Sequence, residues 1–214
     1  MPNGQLVTTM NQTAGRGQLD NKWESEKFKN LTFSIGIIDL DFPVQFQFQL
    51  NVITSLAVVK TINENFGTTA QIKWPNDVLI GGKKLCGILI ETSIKQGLIY
   101  SAVLGIGLNV NQEVFKTENA VSLFNVLGQV VDPEEVLKTL CENIEHFIFR
   151  KEDLKGLKSL YLKELFRFDE ESTYMVDGHE ISGKIVDVND RGELVLEVEN
   201  DLMTFEPKQI KFVL

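Results

Sequence analysis

The stretch VLIGGKKLCGILIET, residues 78–92, places two apolar runs on either side of a glycine pair. Gly81 and Gly82 tolerate the positive φ angles of a tight turn, so residues 78–80 and 85–92 are predicted to form a β-hairpin. Apolar runs predict further strands at residues 31–40, 71–74 and 98–110. Strands that follow one another through short turns favour a largely antiparallel sheet with helices on one face.

The helices are indicated by apolar spacing and by their end signals. Residues 44–66 carry apolar side chains near helical spacing and stop at Gly67. The run Asp132-Pro133-Glu134-Glu135 has a capping carboxylate and a first-turn proline, so it predicts the start of a second helix. A third helix is predicted at residues 154–166. The chain is therefore expected to have an α+β fold.

The sequence changes character after Phe168. Short alternating strands appear there, with Leu194, Leu196 and Val198 on one side and glutamates on the other. So short a piece has little core of its own, and it is expected to pack on the main domain. We predict a main domain at residues 1–167 and a small β-barrel at residues 168–214.

Composition excludes some classes of function. The 214 residues carry 21 Lys+Arg and 30 Asp+Glu, a net charge of −9, which argues against nucleic-acid binding as the main role. A local anion site needs only a few donors that face inward. The two cysteines fit a reducing compartment, and neither a signal peptide nor an apolar run near the ~20 residues of a membrane span is present. A cytoplasmic location with no membrane partner is expected.

The first candidate site segment is NQTAGRGQLDNKW, residues 11–23. The glycines beside Arg16 let backbone N–H groups approach a ligand, and the guanidinium offers donors suited to phosphate or carboxylate. It is not a dinucleotide fingerprint, because Asp20 stands where a third glycine would be needed. A mobile surface loop is the alternative interpretation.

Two further segments carry candidate residues. KWPND, residues 73–77, precedes Lys84, which enters an apolar strand and would be a desolvated cation if it pointed inward. A solvated turn lysine is the alternative there. The strand glycines of GIGLNVN, residues 105–111, indicate a ligand or a second backbone close by, or else a bulge without a ligand. With two histidines in the chain no metal cluster is expected, so cations, glycines and amides remain to bind anions and orient reactants.

In this order, QTAGRGQ, KWPND, KLCGILIE and GIGLNVN resemble the motifs of biotin protein ligases. The resemblance runs from residue 7 to the C-terminal piece. It implies an α+β catalytic domain related to class II aminoacyl-tRNA synthetases, with a mixed sheet and helices, followed by a small Src-homology-type barrel. It also implies two reaction steps. Biotin's carboxylate attacks the α-phosphate of ATP, and the lysine of a carboxylase carrier domain then attacks the biotinoyl-adenylate.

The resemblance implies roles for particular residues. Arg16 and Lys84 would cancel the repulsion between the two anions as catalytic residues, and magnesium would arrive with ATP. Asp77 would orient a lysine or the metal. The loop around Arg16 would close over the adenylate and exclude water. The remaining biotin- and adenylate-binding residues would be Gln12, Gly15, Gly17, Gln18, Trp23, Lys73, Asn76, Gly87, Ile88 and Asn109.

The chain also departs from the family pattern. The family's Ser/Thr-Thr-Asn segment and its winged-helix segment are not found, and Leu19-Asp20 replaces a usual Arg-Gly. A shortened start or a weakened biotin affinity follows from these departures, and a repressor role is not expected. A lipoate ligase or acyltransferase and a non-catalytic biotin- or carrier-binding protein are the alternatives. The biotin carrier subunit of acetyl-CoA carboxylase is the expected partner. The sequence does not decide whether the chain forms a homodimer.

Overall fold

The computed structural model describes residues 4–17, 22–151 and 153–213. Its main sheet has six strands in the order β1-β4-β8-β7-β6-β5, and every strand pair is antiparallel. Parallel contacts in the described residues are isolated bridges, such as Ile72 with Leu165. The strands of this sheet are β1 (Gln5–Thr9), β4 (Leu31–Pro43), β5 (Ala70–Lys73), β6 (Asp77–Ile80), β7 (Lys83–Lys95) and β8 (Leu98–Leu108). A separate two-stranded ribbon consists of β2 (Gly15–Arg16) and β3 (Lys22–Trp23).

The glycine-pair hairpin is confirmed. β6 and β7 pair across Gly81 and Gly82, whose φ angles are 57° and 76°. The register shifts so that Val78 faces Cys86 while Leu79 faces Lys84, which leaves Leu85 as an extra residue on β7. Such a bulge changes the direction of the side chains beside it.

Helices cover the apolar face of the main sheet. α1 (Gln49–Phe66) begins later than predicted, since Val44–Phe46 forms a single 3₁₀ turn, and it ends at Gly67 with φ 60°. α3 (Pro133–Ile148) is confirmed with its cap, because Asp132 Oδ1 accepts a hydrogen bond of 2.9 Å from the Glu134 backbone N–H. α2 (Leu123–Leu127) was not predicted, and α4 (Leu154–Lys163) lies within the predicted third helix.

Strand alternation separates the two faces of the sheet. On β4 the odd-numbered residues from Leu31 to Ile37 are buried and apolar, whereas Thr32 and Ser34 face the other side. On β8 the buried residues from Ala102 to Leu108 are even-numbered, such as Leu104 and Ile106. The register pairs Ile35 with Leu104, so the apolar sets coincide on the helix side. The opposite face is left to small residues.

The C-terminal piece is an open sheet, which corrects the predicted barrel. Its strand order is β12-β11-β10-β9-β13, so β12 and β13 are the two edges and are not paired with each other in the described residues. The physical reason is the turn after Phe205, which leads the chain to the far side of the sheet, where it pairs with β9. The strands are β9 (Glu171–Val176), β10 (His179–Val188), β11 (Leu194–Val198), β12 (Asp201–Phe205) and β13 (Ile210–Phe212).

The second sheet is attached beside the KWPND segment. The Trp74 indole N–H donates a hydrogen bond of 2.8 Å to the Gly192 carbonyl, and the Phe48 ring packs on the same glycine. The Ile72 carbonyl also accepts a hydrogen bond of 2.7 Å from the Phe166 N–H. These contacts hold the two sheets in one arrangement. In the described part of the chain, no helix is both long enough and apolar enough to cross a membrane.

Candidate functional site

A cavity of about 770 Å³ lies on the sheet face that the helices leave open. Its floor consists of the strand residues that point away from the apolar core, most of them small. β4 contributes Thr32 and Ser34, and the glycines come from two neighbouring strands. The small side chains leave a groove along the strands, so another group can lie close to the backbone. The strand residues of the floor are Thr32, Ser34, Gly87, Leu89, Glu91, Val103, Gly105 and Gly107.

The Trp23 indole lies on two of these glycines. Gly87 and Gly107 are direct neighbours across β7 and β8. A Cβ atom at Gly107 would lie 2.4 Å from Trp23 Cε2, and one at Gly87 would lie 3.1 Å from Trp23 Cζ3. In this structure the close neighbour of these two glycines is an aromatic ring, whereas the sequence indicated a ligand, a second backbone or a bulge. The ring also lies near the Lys84 ammonium, whose Nζ is 5.7 Å from the ring centroid.

Lys84 points into the cavity because of the bulge at Leu85. In a regular strand Lys84 and Gly87 would point to opposite faces, since they are three residues apart. The extra residue brings them to the same face, where a Cβ at Gly87 would lie 3.3 Å from Lys84 Nζ. The ammonium is 2.6 Å from Asp77 Oδ1, and 37% of the Lys84 side chain is exposed. The sequence left open whether the Lys84 side chain points inward or is a solvated turn lysine, and in the structure it points into the cavity.

Lys73 is a second cation on the cavity wall, and it is half-buried. Burial lowers the pKa of its ammonium, against the opposing effect of Asp77, while Lys84 and Arg167 lower it further. Its Nζ lies 5.4 Å from the centre of the Phe212 ring on β13. The second sheet therefore closes this end of the cavity.

The cavity is positive although the protein is negative. Among the described lining residues there are six cations and two carboxylates, against a net charge of −9 for the whole chain. The carboxylates are Asp77 and Glu91, and Asp77 is already paired with Lys84. A site of this kind attracts anions by its local field. The six cations are Arg16, Lys22, Lys73, Lys84, Lys208 and Lys211.

Two buried polar atoms near the ribbon have no hydrogen-bond partner within the part of the chain that the structure describes. They are Gln12 Oε1 and Trp23 Nε1, one acceptor and one donor. Burying such atoms without partners costs free energy, so each is available to a ligand that offers the matching group. Both residues line the cavity.

The structure places most of the sequence-predicted residues at this cavity. Gly15 lies just behind the lining, where a Cβ would be 2.6 Å from the Trp23 carbonyl oxygen, so the ribbon needs a glycine at this position. Asn109 lies below the cavity and is 2% exposed. Its amide donates to the backbone carbonyls of Val121 and Lys84 at 3.1 and 3.4 Å. Gln18 lies outside the described residues. The predicted residues that line the cavity are Gln12, Arg16, Gly17, Trp23, Lys73, Asn76, Asp77, Lys84, Gly87 and Ile88.

Sequence reasoning missed several lining residues. Thr32 and Ser34 could have been found from strand alternation, since they are the polar positions of an otherwise apolar strand. Thr8 and Thr9 on β1 line the cavity because β1 pairs with β4 along the same edge. Lys208, Lys211 and Phe212 carry no local signal, because only the docking of the second sheet brings them to the site.

Comparisons with known proteins identify a matching family and related proteins. Residues 1–109 match the model of the biotin/lipoate A/B protein ligase family. The chain is 32% identical over 208 residues to the bifunctional ligase/repressor BirA of Bacillus subtilis. It is 29% identical over 206 residues to a biotin–[acetyl-CoA-carboxylase] ligase of Mycobacterium tuberculosis, with 91% of this chain and 74% of that protein covered.

The alignment with the Bacillus protein covers 94% of this chain but 64% of the relative, so the chain spans less than two thirds of that protein's length. A solved structure supports the fold over the whole chain. The biotin protein ligase from Aquifex aeolicus, in complex with biotin and ATP, superposes with a TM-score of 0.81 at 27% identity. The superposition covers 99% of this chain and 89% of the other.

Proposed function

Because the chain belongs to the biotin/lipoate A/B protein ligase family, we propose that it is an ATP-dependent biotin protein ligase. It would form biotinoyl-5′-adenylate and transfer the biotin to a lysine of a carboxylase carrier domain. The Mycobacterium relative is a biotin–[acetyl-CoA-carboxylase] ligase, and the Aquifex structure contains both biotin and ATP. A carrier domain of acetyl-CoA carboxylase is the corresponding partner for this chain.

The observation that carries the proposal is the position of Lys84. Its ammonium stands on the cavity wall, beside Gly87 and 2.6 Å from Asp77. A ligand with an uncharged body and a carboxylate at one end fits the groove so that the carboxylate meets Lys84. The other cations of the lining would bind a triphosphate. The two anions that must react would then meet at one fixed cation, which lowers their mutual repulsion.

The first step joins the biotin carboxylate oxygen to the α-phosphorus of ATP, and pyrophosphate leaves. Lys84 would contact both reacting groups and stabilise the charge that develops between them, with Asp77 keeping its ammonium in place. Arg16 and Lys73 would neutralise phosphate oxygens. Gln12 and Trp23 would offer their unpartnered polar atoms to the bound ligand. In the second step the carrier lysine amine attacks the acyl carbon of the anhydride and AMP leaves.

Magnesium is proposed as the counter-ion that ATP brings with it. In the described residues no three His, Cys, Asp or Glu side chains cluster in a way that could hold a metal ion. Asp77 and Glu91 are the carboxylates that face the cavity, and either can contact a nucleotide-bound cation through water. A cytoplasmic location, a homodimer and the absence of a nucleic-acid partner remain predictions.

The test is biotin-dependent exchange of labelled pyrophosphate into ATP by the purified chain. Exchange that requires biotin and is not supported by lipoate is the expected result. Lys84→Ala should abolish it, whereas Lys83→Ala is the matched control, since Lys83 is an exposed lysine next to it on β7. Absence of exchange in the parent chain would refute the ligase activity. Full exchange in Lys84→Ala would remove Lys84 from the mechanism.

A further inference from the structure

We propose that a buried amide pair, Asn30 and Gln112, is a positioning device. It holds the Lys84 backbone and the Trp23 indole, here called the Trp23 cover because it lies over Gly87 and Gly107, in one arrangement. The functional consequence rests on the proposed function, because it concerns retention of the adenylate. Neither residue belongs to the cavity lining in the part of the chain that the structure describes. Its effect would be transmitted through the two chain segments that it joins, residues 24–30 and 111–121.

Gln112 uses its whole side-chain hydrogen-bonding capacity across these segments. Its Oε1 accepts from Asn30 Nδ2 at 2.6 Å and from the Glu26 backbone N–H at 2.9 Å. Its Nε2 donates to the Val114 carbonyl at 2.9 Å and to Glu24 Oε1 at 3.5 Å. The residue is 1% exposed. A buried amide with every group satisfied specifies one arrangement of the chain around it.

Asn30 extends the same connection to the sheet. Its Oδ1 accepts a hydrogen bond of 3.0 Å from the Val110 backbone N–H, just past the end of β8. The residue is 8% exposed. Residues 24–30 are therefore fixed to the end of the strand that contains Gly107. Trp23 directly precedes this segment. The position of the indole ring relative to Gly87 and Gly107 therefore depends on where the segment is held.

The 111–121 segment is in turn bound to Lys84. At its start, the Asn111 backbone N–H donates to the Lys29 carbonyl at 2.7 Å. At its end, the Lys84 N–H donates to the Asn119 carbonyl at 2.7 Å, and the Val121 N–H donates to the Lys84 carbonyl at 3.0 Å. Asn119 also lines the cavity. Gln112 thus bonds the Trp23 segment to the start of the 111–121 segment, and the end of that segment is bonded to the Lys84 backbone.

The chemistry explains why such a connection matters. An acyl-adenylate is a mixed anhydride that water can hydrolyse, so the residues around it, the Trp23 cover among them, must stay in place until the acceptor amine arrives. If backbone contacts alone held the Trp23 cover, the indole could move away from the strands without any change at the Lys84 backbone. With the Asn30–Gln112 pair, opening at Trp23 requires breaking buried hydrogen bonds whose groups would be left without partners.

Gln112→Glu is the most informative variant. It preserves the size of the side chain and its acceptors, but it removes both donors and places a second carboxylate near Glu24. Burial and this neighbouring charge would raise the pKa of the new carboxyl group, and its protonated form can donate again. The defect should therefore be large at alkaline pH and smaller in mildly acidic solution, relative to the parent chain at the same pH.

Two measurements on the full chain test the proposal. The first is the half-life of enzyme-bound biotinoyl-adenylate, followed by release or hydrolysis after its formation from biotin and ATP. The second is the rate of tryptic cleavage after Lys22, Lys27 and Lys29 without ligands. For Gln112→Glu we expect about tenfold faster adenylate loss and about tenfold faster cleavage, which corresponds to about 1.4 kcal/mol of lost hydrogen bonding. Asn30→Asp should change both in the same direction.

Two control variants separate positioning from general destabilisation. Gln129→Glu makes the same substitution at an exposed glutamine. Asn143→Leu removes a buried amide hydrogen bond of 2.9 Å to Thr61 between α1 and α3, away from the cavity. Neither should change adenylate half-life or cleavage in the Trp23 segment.

Parent-like values in both Gln112→Glu and Asn30→Asp would overturn the proposal, as would equal effects of Asn143→Leu. If Gln112→Glu does not fold, Asn30→Asp decides alone. Failure of the parent chain to make adenylate would instead refute the proposed function, and the cleavage assay would still test the amide pair.

Discussion

Replacing Gly107 by alanine would place a methyl group where the Trp23 indole lies. The new Cβ would be 2.4 Å from Trp23 Cε2 and 2.8 Å from Trp23 Nε1. Carbon atoms in contact prefer a separation of about 3.5–4.0 Å, so one of the two groups must move by about 1.1–1.6 Å. Gly107 is paired to Thr32 on one side and to Gly87 on the other. Because the sheet holds it from both sides, the indole has to move.

The magnitude follows from overpacking. Inserting a methyl group into a filled site costs about 1–3 kcal/mol, and a chain of this size loses roughly 2–4 °C in Tm for each kcal/mol. The lifted indole would also become accessible to solvent. Acrylamide quenching of tryptophan fluorescence reports this, since the other tryptophan, Trp74, is 3% exposed and stays shielded. We expect stronger quenching and a lower Tm for Gly107→Ala.

Two further variants make the reasoning refutable. Gly105→Ala is the matched control, because its Cβ would meet the Leu89 carbonyl oxygen at 3.1 Å and does not approach Trp23. In a Trp23→Ala background the Gly107→Ala change should cost little, since the clash is gone, and a double-mutant cycle measures this coupling. Unchanged quenching and Tm in Gly107→Ala, or an equal cost in both backgrounds, would show that the indole does not lie on the glycine floor.

Three further variants test the cation sites and the docking of the second sheet. Lys84→Ala should lose adenylate formation while circular dichroism and Tm show that the fold survives; an active variant would contradict the role of Lys84. Burial lowers the pKa of Lys73, so the charge of its ammonium destabilises the folded state at pH 7. This destabilisation diminishes as the pH rises from the pKa of Lys73 in the folded state toward the pKa of an unfolded lysine. Lys73→Met should therefore raise Tm more at pH 7 than in alkaline solution, and calorimetry should show weaker ATP binding. A Tm at pH 7 below that of the parent chain would argue against a desolvation cost at Lys73. Trp74→Phe leaves the Gly192 carbonyl without its donor, so we expect a loss of about 1–3 kcal/mol in urea unfolding; an unchanged midpoint would mean that this contact does not hold the second sheet.

The parts of the molecule that depend on local conformation could be predicted from the sequence. Gly81-Gly82 requires positive φ angles, and Asp132-Pro133 satisfies the first turn of a helix, so both signals act within a few residues. Strand alternation is equally local. The KWPND and glycine-rich segments were expected at the site, and most of their residues line the cavity. Asn109 was also expected to bind the ligand, but its amide bonds to backbone carbonyls below the cavity. The sequence cannot distinguish a buried amide that bonds to the backbone from one that binds a ligand.

Other features depended on contacts between distant parts of the chain. The inward direction of Lys84 results from a one-residue bulge in the register of β6 and β7. Lys211 lines the cavity because the C-terminal sheet docks beside it. That sheet is open, whereas the sequence predicted a barrel.

The position of Trp23 on Gly107 joins residues that are 84 positions apart, and the Asn30–Gln112 hydrogen bond joins residues that are 82 apart. The sequence by itself determined which segments form strands, helices and turns and which residue types could bind an anion. The tertiary structure decided which of those side chains face one cavity, because packing and register are set by many contacts at once and no single segment encodes them.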